Sequence, residues 1–150
     1  MQDCQSYFLR LLARRDYSAR ELERKASSKG YAPADIADAI AEVRGRDFQS
    51  DLRTAEGIIE AARGRYGPTA VRRKCLEKGI AAEVFEHAWD DVASDRDFEA
   101  ELEQVKAKAM RQYRLDGFDN LDPATTRKLA NFLQYRGFNA FAVLAQWQNK

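Results

Sequence analysis

One short signature occurs three times in this sequence, and it constrains the fold more than any other feature. Each copy places a basic residue, a glycine and a large apolar residue in succession: Lys29-Gly30-Tyr31, Lys78-Gly79-Ile80 and Arg136-Gly137-Phe138. The glycines are 79 − 30 = 49 and 137 − 79 = 58 residues apart. Repeats at such spacings are typical of stacked helical units, because a unit this small cannot bury its apolar face alone.

The residues around each glycine follow a helical period. Positions eight and four before the glycine, and six and ten after it, are apolar in every copy: Leu22, Ala26, Ile36 and Ile40; Val71, Cys75, Phe85 and Trp89; Leu129, Leu133, Val143 and Trp147. Offsets of this kind belong to helices and not to strands. The pattern predicts a helix that ends at glycine in the left-handed conformation, a turn whose apolar residue packs back, and a second helix.

The helix starts carry their own signals. Ser18 and Glu21 form a capping box, and Pro33, Pro68 and Pro123 stand where a first helical residue is expected. A further apolar helical face precedes each pair of helices, which gives three helices per repeat and nine in all. These faces consist of Tyr7, Phe8, Leu11 and Leu12; Ala55, Ile58, Ile59 and Ala62; and Leu102, Val105, Ala109, Met110 and Tyr113.

The predicted fold is therefore all-α. We expect three tandem three-helix repeats, at residues 1–46, 47–93 and 94–150, that stack into an elongated, curved array. The segment 114–121 is predicted to be a longer loop, which accounts for the extra 58 − 49 = 9 residues of the third repeat. An array of this kind presents long surfaces and favours partner binding over catalysis.

Composition narrows the range of partners and compartments. The net charge of +1 argues against a protein whose main partner is nucleic acid. No apolar run approaches the roughly 18 residues of a membrane span, and the first residues lack the pattern of a signal peptide. Two cysteines without a CxxC motif indicate a reducing compartment. We therefore expect a cytoplasmic protein, a monomer with no membrane partner.

Few residues are candidates for chemistry. The single histidine, His87, is predicted to lie at the surface, and no phosphate-binding loop, nucleophile motif or metal-ligand pattern occurs. We expect no catalytic residue, cofactor or metal, and therefore no enzyme. Cys75 is predicted to be a core residue, although the basic residues Arg72, Arg73 and Lys74 before it leave a reactive thiol as an alternative.

Aromatic residues at equivalent positions of the repeats could serve either the fold or contact with a partner. Trp89 and Trp147 occupy equivalent positions and are predicted to pack in the core. Tyr17 and Tyr66 each lie thirteen residues before their glycine. They are predicted to support the turn between helices, with contact to a partner as the alternative.

Basic residues of the middle helices give the sharpest prediction of a site. Positive charge is concentrated on one helix of each repeat, whereas the next helix is acidic. One interpretation is charge pairing between neighbouring helices; the other is a basic stripe that faces an acidic protein or a phosphate backbone. The predicted partner contacts are Arg20, Arg24, Lys25, Arg72, Arg73, Lys74 and Lys78.

The same repeats resemble those of the RecX family. The resemblance lies in LLARRDYSARELERKASSKGY, RYGPTAVRRKCLEKGI and NFLQYRGF, of which the middle segment is the most specific, and it extends over essentially the whole chain. Members commonly carry an acidic pair with a nearby Arg-Phe after the first repeat. This sequence departs from that pattern, since it has Phe48-Gln49-Ser50-Asp51-Leu52-Arg53 there.

The resemblance implies a regulator of the RecA recombinase. Such a protein lodges in the groove of the RecA filament on single-stranded DNA and restrains strand exchange, ATP hydrolysis and filament growth, with effects on the SOS response. Direct contact with single-stranded DNA is an additional possibility. Two alternatives from other classes are an autonomous nucleic-acid binder, whose basic helices dock on DNA, and a helical-repeat adaptor for a different partner.

Overall fold

The computed structural model describes residues 2–93 and 96–149, and these ranges contain nine α-helices and no strand. The all-α prediction is thus confirmed. The helices are α1 (Cys4–Leu12), α2 (Ala19–Lys29), α3 (Pro33–Gly45), α4 (Asp51–Ala61), α5 (Pro68–Glu77), α6 (Ala82–Ala93), α7 (Phe98–Tyr113), α8 (Pro123–Tyr135) and α9 (Ala140–Gln148).

The helix boundaries lie where the local signals predict them. The hydroxyl oxygen of Ser18 accepts a hydrogen bond from the Glu21 N–H, and the Glu21 carboxylate accepts one from the Ser18 N–H, so the capping box is complete. The prolines Pro33, Pro68 and Pro123 each begin a helix, where the missing N–H donor costs nothing. The long loop between α7 and α8 is also present.

The signature glycines adopt the predicted left-handed conformation. Their φ angles are +95° at Gly30, +80° at Gly79 and +84° at Gly137. Each turn is closed by a hydrogen bond from the following residue to the fourth residue before the glycine, as from the Ile80 N–H to the Cys75 carbonyl oxygen at 3.1 Å. This geometry satisfies carbonyl groups that a helix end leaves without partners.

The described chain divides into two compact units. Unit 1 takes in the residues up to Glu60, and then the stretch from Lys74 to the end of α6. Unit 2 takes in Ala61–Arg73 and helices α7 to α9. The division into three repeats at 1–46, 47–93 and 94–150 stays a prediction, and residues 1, 94, 95 and 150 lie outside the described residues.

Each unit has an apolar core to which the repeat positions contribute. Tyr7, Phe8, Leu22 and Val43 belong to the core of unit 1, where α1 and α2 pack on α3. The core of unit 2 is formed by side chains of α7, α8 and α9, together with Phe118 of the loop between α7 and α8. Burial of a large aliphatic or aromatic side chain contributes about 1.5–3 kcal/mol, so these side chains supply most of the stabilisation. The core of unit 2 comprises Val105, Ala109, Phe118, Leu129, Phe132, Leu133, Ala140, Val143, Leu144 and Trp147.

In unit 1, the N-terminal turn of α2 contacts the glycine turn that follows α5. The Ser18 side chain is fully buried, and its hydroxyl group donates a hydrogen bond to the Lys78 carbonyl oxygen at 2.6 Å. A Cβ atom at Gly79 would overlap the side chain of Arg20. We call this contact the α2–α5 joint. It requires glycine at position 79 for close approach as well as for the backbone angle.

Unit 2 contains the corresponding contact between α5 and α8. Ser18 and Gly67 are equivalent, since each lies twelve residues before its signature glycine (30 − 18 = 12 and 79 − 67 = 12). The Gly67 N–H donates a hydrogen bond to the Arg136 carbonyl oxygen at 2.6 Å, and a Cβ atom at Gly137 would overlap Ala70. We call this contact the α5–α8 joint; its hydrogen bond joins two backbone groups. The signature glycine therefore serves both helix termination and contact with the preceding repeat.

The two roles of the signature glycine are separable by substitution. Gly30→Ala should lower the free energy of unfolding by about 1–2 kcal/mol, because only the left-handed backbone is strained and no described atom lies within 4 Å of an added Cβ. Gly79→Ala should cost about 1–3 kcal/mol more, because the added Cβ also meets Arg20. Urea denaturation followed by circular dichroism measures both. Equal losses for the two variants would contradict the close contact at Gly79.

Candidate partner-binding surface

The predicted contact residues on α2 are exposed, and their cations have partners within unit 1. The Arg20 guanidinium lies 3.2 Å from the Glu23 carboxylate, and both side chains are about half exposed (52% and 51%). Arg24 donates to the Glu77 carbonyl oxygen at 3.3 Å, and the Lys25 ammonium lies 5.9 Å from the centre of the Tyr17 ring. Exposed pairs of this kind contribute little to stability, typically up to about 1 kcal/mol. The cations therefore remain available to a partner.

Lys78 differs from the other predicted contacts. Its ammonium lies 3.0 Å from the Glu21 carboxylate, and only 26% of its side chain is exposed. Burial raises the pKa of Glu21, but hydrogen bonds from the Ser18 backbone, Lys78 and Arg15 outweigh burial and hold that pKa below its ordinary value. Lys78 thus helps to stabilise the α2–α5 joint, and its contact with a partner stays a prediction.

The predicted contacts on α5 divide between the two units. Arg72, Arg73 and Lys74 are all exposed. Arg72 and Arg73 belong to unit 2, whereas Lys74 belongs to unit 1 with Arg20, Arg24, Lys25 and Lys78. Within unit 1, the joint brings Arg20 and Arg24 close to the end of α5, through Gly79 and the Glu77 carbonyl. The continuous basic stripe remains a prediction.

The segment that departs from the family pattern serves the same joint. The Gln49 side chain is buried and donates to the Tyr17 carbonyl oxygen at 3.1 Å and to the Asp51 carboxylate at 2.8 Å. Asp51 in turn accepts a hydrogen bond from the Ala19 N–H at 2.9 Å. A carboxylate at this position complements the positive end of the α2 dipole. In this chain, the segment 48–53 therefore anchors the start of α2.

The candidate reactive groups occupy ordinary structural positions. His87 is exposed, and its Nε2 atom lies 3.5 Å from the Asp91 carboxylate one helical turn away. Cys75 is fully buried, as predicted for a core residue, and burial raises the pKa of its thiol to about 11, although Lys74 and Lys78 lower it. A thiol with this pKa is protonated near neutral pH and is a poor nucleophile. The reactive-thiol alternative is therefore disfavoured.

The paired aromatic positions of the repeats differ in burial. Trp147 is 4% exposed and packs in the core of unit 2, whereas Trp89 is partly buried beside Phe85 at 5.9 Å between ring centres. Tyr17 is buried at 7%, with the Arg15 guanidinium 3.6 Å from its ring centre, but Tyr66 is 38% exposed. Equivalent positions in the sequence are thus not equivalent in the structure.

Sequence periodicity missed two exposed aromatic residues of unit 2. Tyr135 at the end of α8 is 73% exposed, and Phe141 at the start of α9 is 86% exposed. Both fall outside the apolar positions that repeat around the glycine. The sequence does contain a signal for their exposure, because each is an aromatic residue at a position that the apolar helical pattern does not assign to the core.

The described residues contain neither a metal-ligand cluster nor a membrane-spanning helix. Within residues 2–93 and 96–149, no group of three or more His, Cys, Asp and Glu side chains is arranged to hold a metal ion. No helix in the same ranges is long and apolar enough to cross a bilayer.

Solved structures with a similar fold place the chain in a structural class. A crystal structure of RecX from Lactobacillus salivarius matches 95% of this chain and 90% of its own, with a TM-score of 0.72 and 19% identity. A second crystal structure, of regulatory protein RecX, matches 98% of this chain and 72% of its own, with a TM-score of 0.78 and 18% identity. The fold is that of a small all-α protein assembled from short helical units.

Sequence comparisons identify the family. A family model described as RecX, first three-helix domain, matches residues 4–42. Regulatory protein RecX of Vibrio vulnificus (strain CMCP6) is 31% identical over 140 residues, which cover 93% of this chain and 87% of that relative. Its counterpart in Legionella pneumophila (strain Corby) is 33% identical over 132 residues, with 87% and 83% covered. The chain belongs to the RecX family.

The charge of Glu21 should stabilise unit 1 in a pH-dependent manner. Because the folded pKa of Glu21 lies below its ordinary value, the contribution is present above the unfolded pKa of about 4.3 and is lost as pH falls through the folded pKa. Glu21→Gln should therefore cost about 1 kcal/mol at neutral pH and almost nothing in acid. Urea denaturation at several pH values measures this, with the exposed Glu23→Gln as control. A loss independent of pH would contradict the ion pair.

Cys75 should resist thiol reagents in the folded protein. In a Cys4→Ser variant, Cys75 is the only remaining thiol. Its burial and its pKa of about 11 predict that labelling by Ellman's reagent near neutral pH will be slow and will become complete on denaturation. Rapid labelling of the native protein would show that the thiol is accessible.

Proposed function

We propose that this chain is a non-enzymatic regulator that binds the RecA filament on single-stranded DNA and inhibits its recombinase, ATPase and SOS-related activities. Family membership carries the proposal, since relatives named regulatory protein RecX match most of the chain. The RecA partner is what the resemblance of the three repeats implies. We further propose that the protein acts as a cytoplasmic monomer, without a cofactor and without a membrane partner.

The exposed cations of α2 and α5 are the proposed contacts. Arg24, Lys25, Arg72, Arg73 and Lys74 are exposed on these helices. Exposed positive charge accelerates association with an acidic surface and fixes its orientation more than it adds affinity. Arg20 and Lys78, whose cations lie 3.2 and 3.0 Å from carboxylates, belong to the same proposed set.

A second candidate function is autonomous binding of nucleic acid by the same basic helices. The exposure of Arg72, Arg73 and Lys74 on one short helix favours it. The net charge of +1 opposes it, because binding without RecA depends on neutralising many phosphates. Gel shifts on duplex DNA in the absence of RecA distinguish the two functions. Strong binding with a steep dependence on salt would favour the autonomous binder.

The RecA proposal predicts inhibition that depends on charge. Titration of the protein into a RecA ATPase assay on single-stranded DNA should lower the rate. A variant that combines Arg72→Glu, Arg73→Glu and Lys74→Glu should need about tenfold more protein, because like charges then oppose each other across the contact. Half-inhibitory concentrations and the far-ultraviolet circular dichroism of each protein are measured together.

A matched control separates the site from the net charge. The variant Arg44→Glu, Lys108→Glu and Arg111→Glu makes the same change in net charge at exposed cations outside the proposed contacts. It should inhibit as the wild type does. Equal inhibition by all three proteins would keep the function and reject the α5 site. No inhibition by the wild type at saturating amounts would overturn the RecA proposal.

A further inference from the structure

An exposed serine near the end of α2 lies among cations. Ser28 borders an open hollow of about 530 Å³ in unit 1, which is also lined by the buried ring of Tyr7. The other side chains that line this hollow are all basic: Arg24, Lys25 and Lys29. We call these three residues the α2 cation cluster. The Ser28 side chain is thus placed beside a concentration of positive charge.

The α2 cation cluster has no carboxylate within ion-pair distance in the part of the chain that the structure describes. Arg24 donates to the Glu77 carbonyl oxygen, and the two lysine ammonium groups lie 5.9 and 5.2 Å from the centres of tyrosine rings. Arg20 and Lys78, by contrast, each pair with a carboxylate. The cluster therefore keeps positive charge that an added anion could engage.

The Ser28 hydroxyl group is open to a modifying enzyme. Among the described residues, no group forms a hydrogen bond with it. Ser28 lies in the last turn of α2, two residues before the left-handed Gly30, and helix ends open locally at lower cost than helix centres. Arg24 and Lys25 precede it by four and three residues. Charge patterns of this kind are among the features by which kinases select their substrates.

We propose that Ser28 is a phosphorylation site and that its phosphate withdraws the α2 cation cluster from the partner. In this step the Ser28 oxygen forms a bond to the γ-phosphorus of a nucleoside triphosphate, while the bond from that phosphorus to the β,γ-bridging oxygen breaks. The nucleoside diphosphate leaves, and the hydroxyl proton passes to the base of a separate serine kinase. The inference rests on the proposed function, because Arg24 and Lys25 are among the contacts proposed for RecA.

The phosphate would change both the charge and the availability of the cluster. A phosphoserine carries a charge of about −2 near neutral pH, so the cluster falls from three positive charges to a net charge of about +1. Arg24 and Lys25 lie four and three residues before Ser28, within reach of its phosphate oxygens on the same helix. The negative end of the α2 dipole opposes the phosphate with only about half a charge. Attraction to an acidic partner therefore weakens.

Ser27, the neighbouring serine, is less suited to this role. It is also exposed, but it borders a second hollow between α2 and α3 whose lining includes the Glu23 side chain. A phosphate there would be repelled by that carboxylate, which already engages Arg20 at 3.2 Å. The hollow shared by Ser28 and the α2 cation cluster is lined by no carboxylate. The charges therefore favour Ser28.

Contact between the phosphate and the cluster is measured without RecA. The full chain is produced with phosphoserine encoded at position 28, and the phosphate is titrated by phosphorus NMR. Its second pKa should lie below the ordinary value of about 6, because neighbouring cations favour the doubly charged form. Arg24→Gln combined with Lys25→Gln and Lys29→Gln should return that pKa towards 6. An equal pKa with and without the cations would overturn the contact.

The effect on the partner is measured in the RecA ATPase assay. The chain phosphorylated at Ser28 should need about tenfold more protein for half-inhibition than the unmodified chain. Ser28→Ala should inhibit as the wild type does. The matched control carries phosphoserine at position 6, where Ser6 is exposed on α1 of the same unit and outside the proposed contacts. It makes the same change in charge and should leave inhibition near the wild-type value.

Mass spectrometry shows whether the site is used. The chain is purified with phosphatase inhibitors from the cells in which it naturally occurs, with and without DNA damage. Cleavage after glutamate releases the peptide 24–42, whose fragmentation distinguishes Ser28 from Ser27. Phosphate on Ser28 in either condition is the expected result. Its absence from both, or phosphate on Ser27 alone, would overturn the assignment.

Failure of this inference and failure of the proposed function give different results. If the unmodified chain inhibits RecA and the phosphate at Ser28 changes inhibition no more than the phosphate at Ser6, the switch is rejected and the proposed function stands. If the unmodified chain does not inhibit RecA at all, the proposed function is rejected and the switch with it. The phosphorus titration still decides, in that case, whether the phosphate engages the cations.

Discussion

The hydrogen bond between the Ser18 hydroxyl and the Lys78 carbonyl oxygen is the contact on which the arrangement of unit 1 depends. It joins residues sixty positions apart and is fully buried on the Ser18 side. A polar group buried without a partner costs about 1–3 kcal/mol, so this serine and the glycine turn must remain together. The same turn of α2 is held by Asp51 and Gln49. These contacts fix the start of α2 and hence the direction in which its cations extend.

Local features of the fold could be predicted from the sequence because each depends on few residues. A glycine after an apolar helical pattern marks the end of a helix in any chain. A capping box such as Ser18 with Glu21, or a proline in the first turn, likewise marks the start of a helix. The repeat positions likewise identified the buried Leu22, Leu129 and Cys75. Periodicity reports which side of a helix is buried, however, and not what it is buried against. The neighbour of each glycine turn therefore became known only from the structure.

The candidate site was less predictable than the fold, for an electrostatic reason. From charge alone, Lys78 and Arg24 are equally good candidates for contact with a partner. In the structure, however, the Lys78 ammonium forms an ion pair at 3.0 Å with the carboxylate of Glu21, which lies 57 residues earlier in the chain. Pairings over such separations depend on packing and leave no pattern in the sequence. The exposed rings were missed for the opposite reason, since a search for repeated apolar positions passes over an aromatic residue that does not repeat. Tyr135 and Phe141 are aromatic residues of this kind.

The α2–α5 and α5–α8 joints differ in how easily a single substitution could remove their hydrogen bond. The α2–α5 joint relies on a side chain, the Ser18 hydroxyl, and one nucleotide change could remove it. The α5–α8 joint links the Gly67 N–H to the Arg136 carbonyl, so no side-chain functional group exists there to be lost. Almost any residue could replace Arg136 without erasing that bond, provided that the adjacent glycines persist. The surface beside this joint is therefore free to acquire new chemistry while the backbone beneath it stays unchanged.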